Sequence, residues 1–456
     1  MKASRFIEKT FRKFIPAPFT LAVILTLFTM IMAFLFTGDQ SFSYGIDILK
    51  YWQFGMWDPS LLVFAVQMML ILVLGHVLVL SKPVSLLIDK LLGFVNSHIT
   101  AVITVAVSTM LVAFFNWGLG LIFGAIMVRK IGEKAKRENF RINYPLLGAA
   151  GYVGLMVWHA GISGSAPLKV AESGHMASLF SADKNQAIIE KLPEFISTNA
   201  TIFASWNLIL FGILLILIPF VLVLVAKKTS ATQIDLPPAR KKNSEIIISG
   251  AEKLDHSKWF HLIFGAILLI AFFASYYQEL VAGLLTPNML NFFMLSLCIL
   301  LHRSFADFLA ALEEAIPGAA GILIQFPLYF GIMGIMRETG MVGDIANFFL
   351  VIATQKSLPI FTFFSAAIVN IFVPSGGGQW SIQGPIVLES AVKLRVPLNK
   401  VVMAFAYGDQ ITNMLQPFWA LPLLAITRLK AREILPYTLI LMLVGSLVYI
   451  AGLLLM

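Results

Sequence analysis

The chain has 456 residues, of which 59% are hydrophobic, 12% aromatic and 12% charged, with a mean hydropathy of +0.86. Soluble chains carry about twice that charged fraction, so a one-core soluble enzyme, a disordered chain, a coiled coil and a disulfide scaffold are excluded. A polytopic, all-α membrane protein remains, and its 33 Lys and Arg against 24 Asp and Glu fall between apolar runs, where they orient spans rather than bind nucleic acid.

The predicted spans follow in chain order. Lys2, Arg5, Lys9, Arg12 and Lys13 precede the apolar run Leu21–Phe36, which reads as a first span with a cytoplasmic N-terminus. No small-residue cleavage site follows it, so it does not read as a leader peptide. Asp39 to Asp58 reads as a mixed connector and Leu61–Leu80 as the second span. Residues 98–128 are one long apolar run interrupted at Asn116-Trp117-Gly118-Leu119-Gly120 and ending in a basic cluster from Arg129 to Arg141. A segment with basic residues at both ends enters and returns, which predicts a re-entrant hairpin. Tyr144–Pro167 then predicts a helix broken after His159, followed by an acidic outer loop to Glu194 and a return span, Ile202–Ala226.

A linker over 227–258, holding Pro237-Pro238, Arg240, Lys241 and Lys242, divides the chain. After it come a connecting span over 259–287, a return over 288–301 and a crossing from Ala315 to Met336. A second interrupted hairpin is expected at about 358–392, a second broken helix at about 398–427, and a last span at Tyr437–Leu455. Lys393, Arg395 and Lys400 fall on the outer side in this topology, against the charge rule.

The two halves share this order. Gly75 and Gly331, Asp89 and Asp344, Phe115 and Phe372, Gly120 and Gly377, Tyr152 and Tyr407, and Pro167 and Pro422 are each 255 to 257 residues apart. The connecting span makes the second half inverted. The expected organisation is therefore a first repeat over 1–226, with its hairpin at about 98–128 and broken helix at about 144–168, and a second over 288–456. Inverted repeats with discontinuous helices belong to secondary transporters, whose site lies at the repeat interface.

The breaks hold the chemistry. Ser375, Gly376, Gly377 and Gly378 lie inside an apolar run, where irregular backbone lines a cavity and glycine lets N–H groups approach an anion. Asp409 is the one carboxylate deep in a span, and an intramembrane carboxylate is a functional candidate by default; as a capping group its expected partner is Lys400. His159 sits beside the first break. Gly161-Ile162-Ser163-Gly164 matches the Gly-x-Ser-Gly string of intramembrane serine proteases, but His159 is too near in the chain to activate Ser163, so transport ranks above proteolysis. The chain has no Gly-Lys dipeptide and hence no phosphate-binding loop, and its one cysteine, Cys298, leaves no disulfide and no thiolate metal cluster.

Two strings, Val157-Trp158-His159-Ala160-Gly161-Ile162-Ser163-Gly164-Ser165-Ala166-Pro167 and Asn370-Ile371-Phe372-Val373-Pro374-Ser375-Gly376-Gly377-Gly378-Gln379-Trp380, resemble the bacterial short-chain fatty acid transporter family, along essentially the whole chain. The resemblance implies uptake of monocarboxylates such as acetoacetate or butyrate across the inner membrane. The wider ion-transporter superfamily implies two re-entrant hairpins, a homodimeric scaffold in lipid, elevator-type motion and often sodium coupling. The Ser-Asn-Thr hairpin tips of dicarboxylate-transporting relatives are replaced here by Asn116-Trp117-Gly118 and Ser375-Gly376-Gly377, so those relatives' ligands are not carried over.

No arginine lies deep in a span, so a substrate carboxylate is expected on neutral donors: helix N-termini, the backbone of Gly376, Gly377 and Gly378, and the side chains of Ser375, Ser163 and Asn413. Trp158, Trp380 and Phe418 are the candidate walls for its apolar tail. For coupling, Asn116, Ser163, Ser165, Thr412 and Asn413 offer oxygens to a cation such as sodium, while Asp409 or His159 offers a proton site. Both alternatives stand at this level.

Overall fold

The computed structural model describes residues 18–180, 182–231, 250–281 and 286–455. The basic run Lys2 to Lys13 and the linker residues Pro237, Pro238, Arg240, Lys241 and Lys242 lie outside the described residues. Among those described there are helices and no strand.

Short helices at His175–Ser178, Ala182–Ile189 and Glu252–Asp255 aside, the helices in chain order are α1 (Pro18–Phe36), α2 (Phe42–Met56), α3 (Pro59–Leu80), α4 (Lys82–Leu92), α5 (His98–Phe115), α6 (Trp117–Arg137), α7 (Tyr144–Tyr152), the short α8 (Ser165–Lys169) and α9 (Ser205–Lys228). The second half follows with α10 (Lys258–Val281), α11 (Pro287–Leu301), α12 (Phe305–Ala315), α13 (Ala320–Glu338), α14 (Met341–Val351), α15 (Leu358–Phe372), α16 (Gly376–Leu394), α17 (Leu398–Thr412), α18 (Pro417–Thr427) and α19 (Ala431–Leu455). By length and composition seven segments among the described residues can cross a membrane. Four shorter apolar helices, Tyr144–Met156, Pro287–Leu301, Leu358–Phe372 and Phe418–Thr427, accompany them. Three of these four are parts of the predicted hairpins and broken helices. A 15-residue helix such as α15 spans roughly 22 Å, less than the roughly 30 Å apolar core of a bilayer. Lipid-facing side chains stay bare, as on α9, where Ile209, Ile216 and Phe220 are exposed.

Polar residues set the helix starts. Asp58 caps α3 by accepting from Ser60 N at 2.9 Å and Leu61 N at 3.2 Å, and Pro59 lacks the N–H that the first turn does not need. Ser97 and Thr100 close a capping box on α5. The stretch Asp39 to Asp58 is not a mere connector. It holds α2, capped by Ser41, which packs on α13. Helix α12 likewise precedes α13, in a stretch with no predicted span.

The helices sort into two packed groups. In one, α3 packs on α11 and α12, and α13 packs on α1 and α2. In the other, α5 packs on α6, α7 and α9, while α15 packs on α17 and α17 on α16 and α19. Backbones approach closely there: a Cβ on Gly151 of α7 would lie 2.9 Å from Gly124 O of α6, the close approach that small residues permit between membrane helices. Contacts of α6 with α3 and of α18 with α13 join the groups, and α4 and α14 are the short helices between them. The order α3 to α9 recurs as α13 to α19.

Candidate functional site

The site forms where the chain leaves helical geometry. Helix α7 tightens into a 3-10 turn at Val153–Met156 and then leaves helical geometry until α8. Helix α17 runs through Gly408 and Asp409 and ends at Thr412; a 3-10 turn, Asn413–Leu415, and Gln416 separate it from α18. The second break is thus shorter than the string from Gly408 to Pro417 suggested. The hairpin tips are equally tight. Asn116 alone separates α5 from α6, and its Oδ1 accepts from Leu119 N at 2.9 Å. Ser375 caps α16, its Oγ accepting from Gly378 N at 3.2 Å. Trp117 to Gly120 and Gly376 to Gly378 are therefore first turns of helices rather than loops. An N-cap serine or asparagine directs one orphan N–H inward and leaves the other first-turn N–H groups at the helix end.

Breaking a helix at this depth exposes backbone groups that need partners. At the first break His159 N and Ala160 N donate to Gln410 Oε1 at 2.8 and 3.1 Å. Gln410 Nε2 donates to the Tyr449 hydroxyl oxygen, whose O–H donates to Met156 O, both at 2.8 Å. Asn207 Nδ2 donates to Ala160 O at 3.0 Å, and Tyr407 O–H to Asn207 Oδ1 at 2.7 Å. The first hairpin tip docks on the same segment: Ile162 N donates to Phe114 O at 2.7 Å and Trp117 N to Ser163 Oγ at 3.0 Å. At the second break, Tyr152 O–H is shared between Asn413 O at 2.9 Å and Gln416 O at 3.1 Å, and Gln416 Nε2 donates to Asn370 O.

His159 and Asp409 join the two breaks. Nδ1 of His159 lies 2.6 Å from Asp409 Oδ1, with both side chains buried. Ala166 N lies 3.0 Å from Nε2. A backbone N–H only donates, so Nε2 carries the lone pair and Nδ1 carries the hydrogen that the carboxylate accepts. The partner of Asp409 is thus His159, from the other half, rather than Lys400 at the start of α17. Oδ2 of Asp409 is buried without a partner. The histidine nitrogens address Asp409 and Ala166, while Ser163 Oγ addresses Trp117, so histidine and serine form no nucleophile–base couple.

The start of α16 abuts this pair. A Cβ on Gly376 would lie 2.7 Å from His159 Cε1 and 2.9 Å from Trp158 Cη2, and one on Gly377 would lie 3.8 Å from Ser165 Oγ. The glycine run thus brings backbone against the first break. An aromatic file walls one side: Trp158 stacks on His159 at 4.5 Å, Trp117 meets Trp158 at 5.8 Å and Trp419 at 5.0 Å, and Trp419 meets Phe418 at 4.9 Å. Nε1 of Trp158 and Nδ2 of Asn413 are buried donors without partners.

Most residues predicted for the site converge here. Trp158, His159, Ser163, Ser165, Gly376, Gly377 and Asp409 share one neighbourhood, and Thr412 and Asn413 join it through Asn370. Gly378 faces its own cap, Ser375, and Met333. Asn116 and Ser375 act as caps. Trp380 lies apart from the aromatic file: its ring packs on Phe405 at 5.1 Å and its N–H donates to His175 Nε2 at 3.3 Å. Sequence reasoning missed Asn370, Gln410, Asn207, Tyr152, Tyr449, Trp117 and Trp419. Trp117 lay within the first hairpin tip, Gln410 within the string from Gly408 to Pro417, Asn370 at the head of the second resembling string and Tyr152 among the repeat pairs, while Trp419 stood beside the second break; Asn207 and Tyr449 carried no local signal, because their partners are distant in the chain.

Comparison with known proteins agrees in kind. A family profile described as "Short chain fatty acid transporter" matches residues 1–456. The chain is 34% identical over 459 residues to the Escherichia coli (strain K12) protein named "Putative short-chain fatty acid transporter", covering 99% of each. It is 34% identical over 460 residues to a protein of the same name from Haemophilus influenzae (strain ATCC 51907 / DSM 11121 / KW20 / Rd), again covering 99% of each. Among solved structures it is similar to the Alcanivorax borkumensis YdaH transporter at 14% identity, with a TM-score of 0.45 over 96% of this chain and 97% of that one. It is likewise similar to Neisseria gonorrhoeae MtrF, at 14% identity and a TM-score of 0.43 over 97% and 96%. With its apolar helices and two interrupted helices meeting at one buried site, this multi-pass membrane protein belongs to the short-chain fatty acid transporter family.

Proposed function

We propose that the protein is a secondary transporter that carries short-chain monocarboxylates, such as butyrate or acetoacetate, across the bacterial inner membrane under a cation gradient. The observation that carries this reading is the first turn of α16 against His159 and Trp158, beside the partnerless indole N–H of Trp158 and the partnerless amide nitrogen of Asn413. A helix N-terminus favours a carboxylate, neutral donors hold it without a fixed cation, and the file from Trp158 to Phe418 suits a short apolar tail. Family membership supports the carboxylate class.

The two halves act as inverted repeats, over 1–226 and 288–456, whose hairpins enter from opposite faces. The recurring order of helices and the mirrored packing of α3 and α13 support this. The group containing α5–α9 and α15–α19 moves as an elevator against the group containing α3 and α13, in a homodimer with the N-terminus cytoplasmic. Asp409 with His159 is the candidate coupling pair, and Asn116 and Ser165 are candidate oxygen donors. Proteoliposomes holding the purified protein should accumulate labelled butyrate when an ion gradient is imposed. Absence of uptake under both sodium and pH gradients, with labelled acetoacetate also excluded, overturns the reading.

A further inference from the structure

Where a membrane helix is broken, its unwound carbonyls form a negative nest that a bound cation commonly fills. At the second break the corresponding nest, made of one last-turn carbonyl of α17 and two side-chain oxygens, already has an occupant. Nδ2 of Asn370, on α15, lies 2.6 Å from Asp409 O, 2.8 Å from Asn413 Oδ1 and 3.0 Å from Thr412 Oγ1. Three oxygens thus converge on one NH2 group, which has two hydrogens to share among them. The backbone carbonyl of Asp409 only accepts, so the atom facing it is the nitrogen. Asn370, Asp409 and Asn413 are 1%, 0% and 1% exposed, so water does not substitute for the amide. The main chain of Asn370 is held too, its backbone carbonyl oxygen accepting from Gln416 Nε2.

We infer that the Asn370 amide is a built-in replacement for a cation: it neutralises the second break from within and makes assembly of that half of the site independent of sodium. This deepens the transport reading above, on which it rests for the identity of the site. Thr412 and Asn413, candidate oxygen donors to an ion by residue type, turn those oxygens toward Asn370, and the Thr412 O–H donates to Ala367 O at 3.1 Å. The coupling cation then acts elsewhere. An amide occupies the nest permanently, so α15 stays fastened to α17 through the transport cycle, where an exchangeable ion would let the two separate.

The test replaces the amide with a charge. Asn370→Asp puts a carboxylate into a ring of three oxygens and turns the nest into a site for a small hard cation. Thermal unfolding of the purified full chain in NaCl is compared with choline chloride. In the wild type any sodium-specific rise reports the coupling ion bound elsewhere, and Thr412→Val is expected to leave it unchanged. The Asn370→Asp variant is expected to rise by about 2 °C more than the wild type between zero and about 100 mM sodium, with no rise in choline chloride. A sodium-specific rise in the wild type that Thr412→Val abolishes overturns the inference, and does so even if the Asn370→Asp variant cannot be purified. An Asn370→Asp variant that gains no more from sodium than the wild type overturns it as well, since the nest would then not be a cation's. Butyrate uptake by the same wild-type preparation separates the two readings: no uptake under any gradient defeats the transport proposal and leaves the unfolding comparison standing.

Discussion

Three consecutive glycines open α16, and the structure gives them unequal weight. An Ala at 376 would place its Cβ 2.7 Å from His159 Cε1 and 2.9 Å from Trp158 Cη2. Carbon atoms rest about 3.5–4.0 Å apart, so the overlap is roughly 0.8 Å on the imidazole and 0.6 Å on the indole. Neither ring has room to yield. His159 is held at both nitrogens, by Asp409 and by Ala166 N, and Trp158 is buried between Trp117 and His159. The start of α16 must therefore withdraw from the first break. Overpacking of this kind costs about 1–3 kcal/mol, which is roughly 5–150-fold if it falls wholly on the docked, substrate-binding state. At 377 the added Cβ would meet only Ser165, at 3.8 Å, an ordinary contact. Kinetics of labelled butyrate uptake in proteoliposomes should thus show the apparent KM of Gly376→Ala raised about fivefold or more, and that of Gly377→Ala within about twofold of wild type. Thermal unfolding of both variants checks that each is folded. Equal kinetics for the two would refute the docking of α16 on the first break as the basis of substrate binding.

Asp409→Asn keeps the volume of the side chain and removes its charge; uptake should lose its dependence on the imposed ion gradient while exchange of internal for external butyrate persists, and unchanged gradient dependence would make the carboxylate structural. Ser163→Ala leaves the part-buried Trp117 N–H without its acceptor, at about 0.5–1.5 kcal/mol for the lost bond, to be read as a lower thermal midpoint with uptake retained. His175, in the segment after α8, is held below the ordinary imidazole value by burial and then by Lys169, with Glu172 opposing. Its neutral Nε2 accepts from Trp380, so this contribution is whole above the ordinary value and fades as pH falls through the lowered one. The midpoint should then drop less on acidification in His175→Gln than in wild type. A cysteine at Lys136 on a Cys298→Ser background should react with an impermeant thiol reagent from the cytoplasmic face; labelling from outside would make the first hairpin a full crossing.

The spans and both interruptions were legible because they are written locally. Apolar runs of membrane length mark the helices, and Asn116 and Ser375 are short polar side chains of the kind that cap. Helix α2 was hidden because its outer face carries Asp47 and Lys50, ion-paired at 2.8 Å, which reads as solvated connector until α13 is known to cover the other face. The pairing inside the site was not legible at all. His159 and Asp409 lie 250 residues apart in the chain, and each alone is an isolated polar residue in an apolar run. In sequence Lys400 is the nearer charge to Asp409, but nine residues along a helix is roughly 13 Å, beyond the reach of an ion pair. Asn370, Gln410 and Asn207 look like ordinary amides in sequence; their roles come from the orphan carbonyls and N–H groups that the distant breaks expose.

In the proposed elevator a firmly built site is carried across the membrane, and the distribution of these bonds bears on how. The hydrogen bonds that assemble it, from Gln410 to the first break, from Tyr152 and Asn370 to the second, and from His159 to Asp409, all run within the group containing α5–α9 and α15–α19. Toward the other group the site presents rings: Phe418 stacks on Phe326 at 4.0 Å and meets Tyr329 at 4.9 Å, and Trp419 meets Phe64 at 6.1 Å. A buried hydrogen bond that loses its partner costs the desolvation of each group left behind, whereas a ring that slides from one apolar neighbour to the next exchanges similar dispersion contacts. Opening either break would therefore meet a steep cost, and translating the whole group past α3 and α13 a shallow one. The proposed elevator motion follows the softer boundary, with His159 and Asp409 riding inside the moving group.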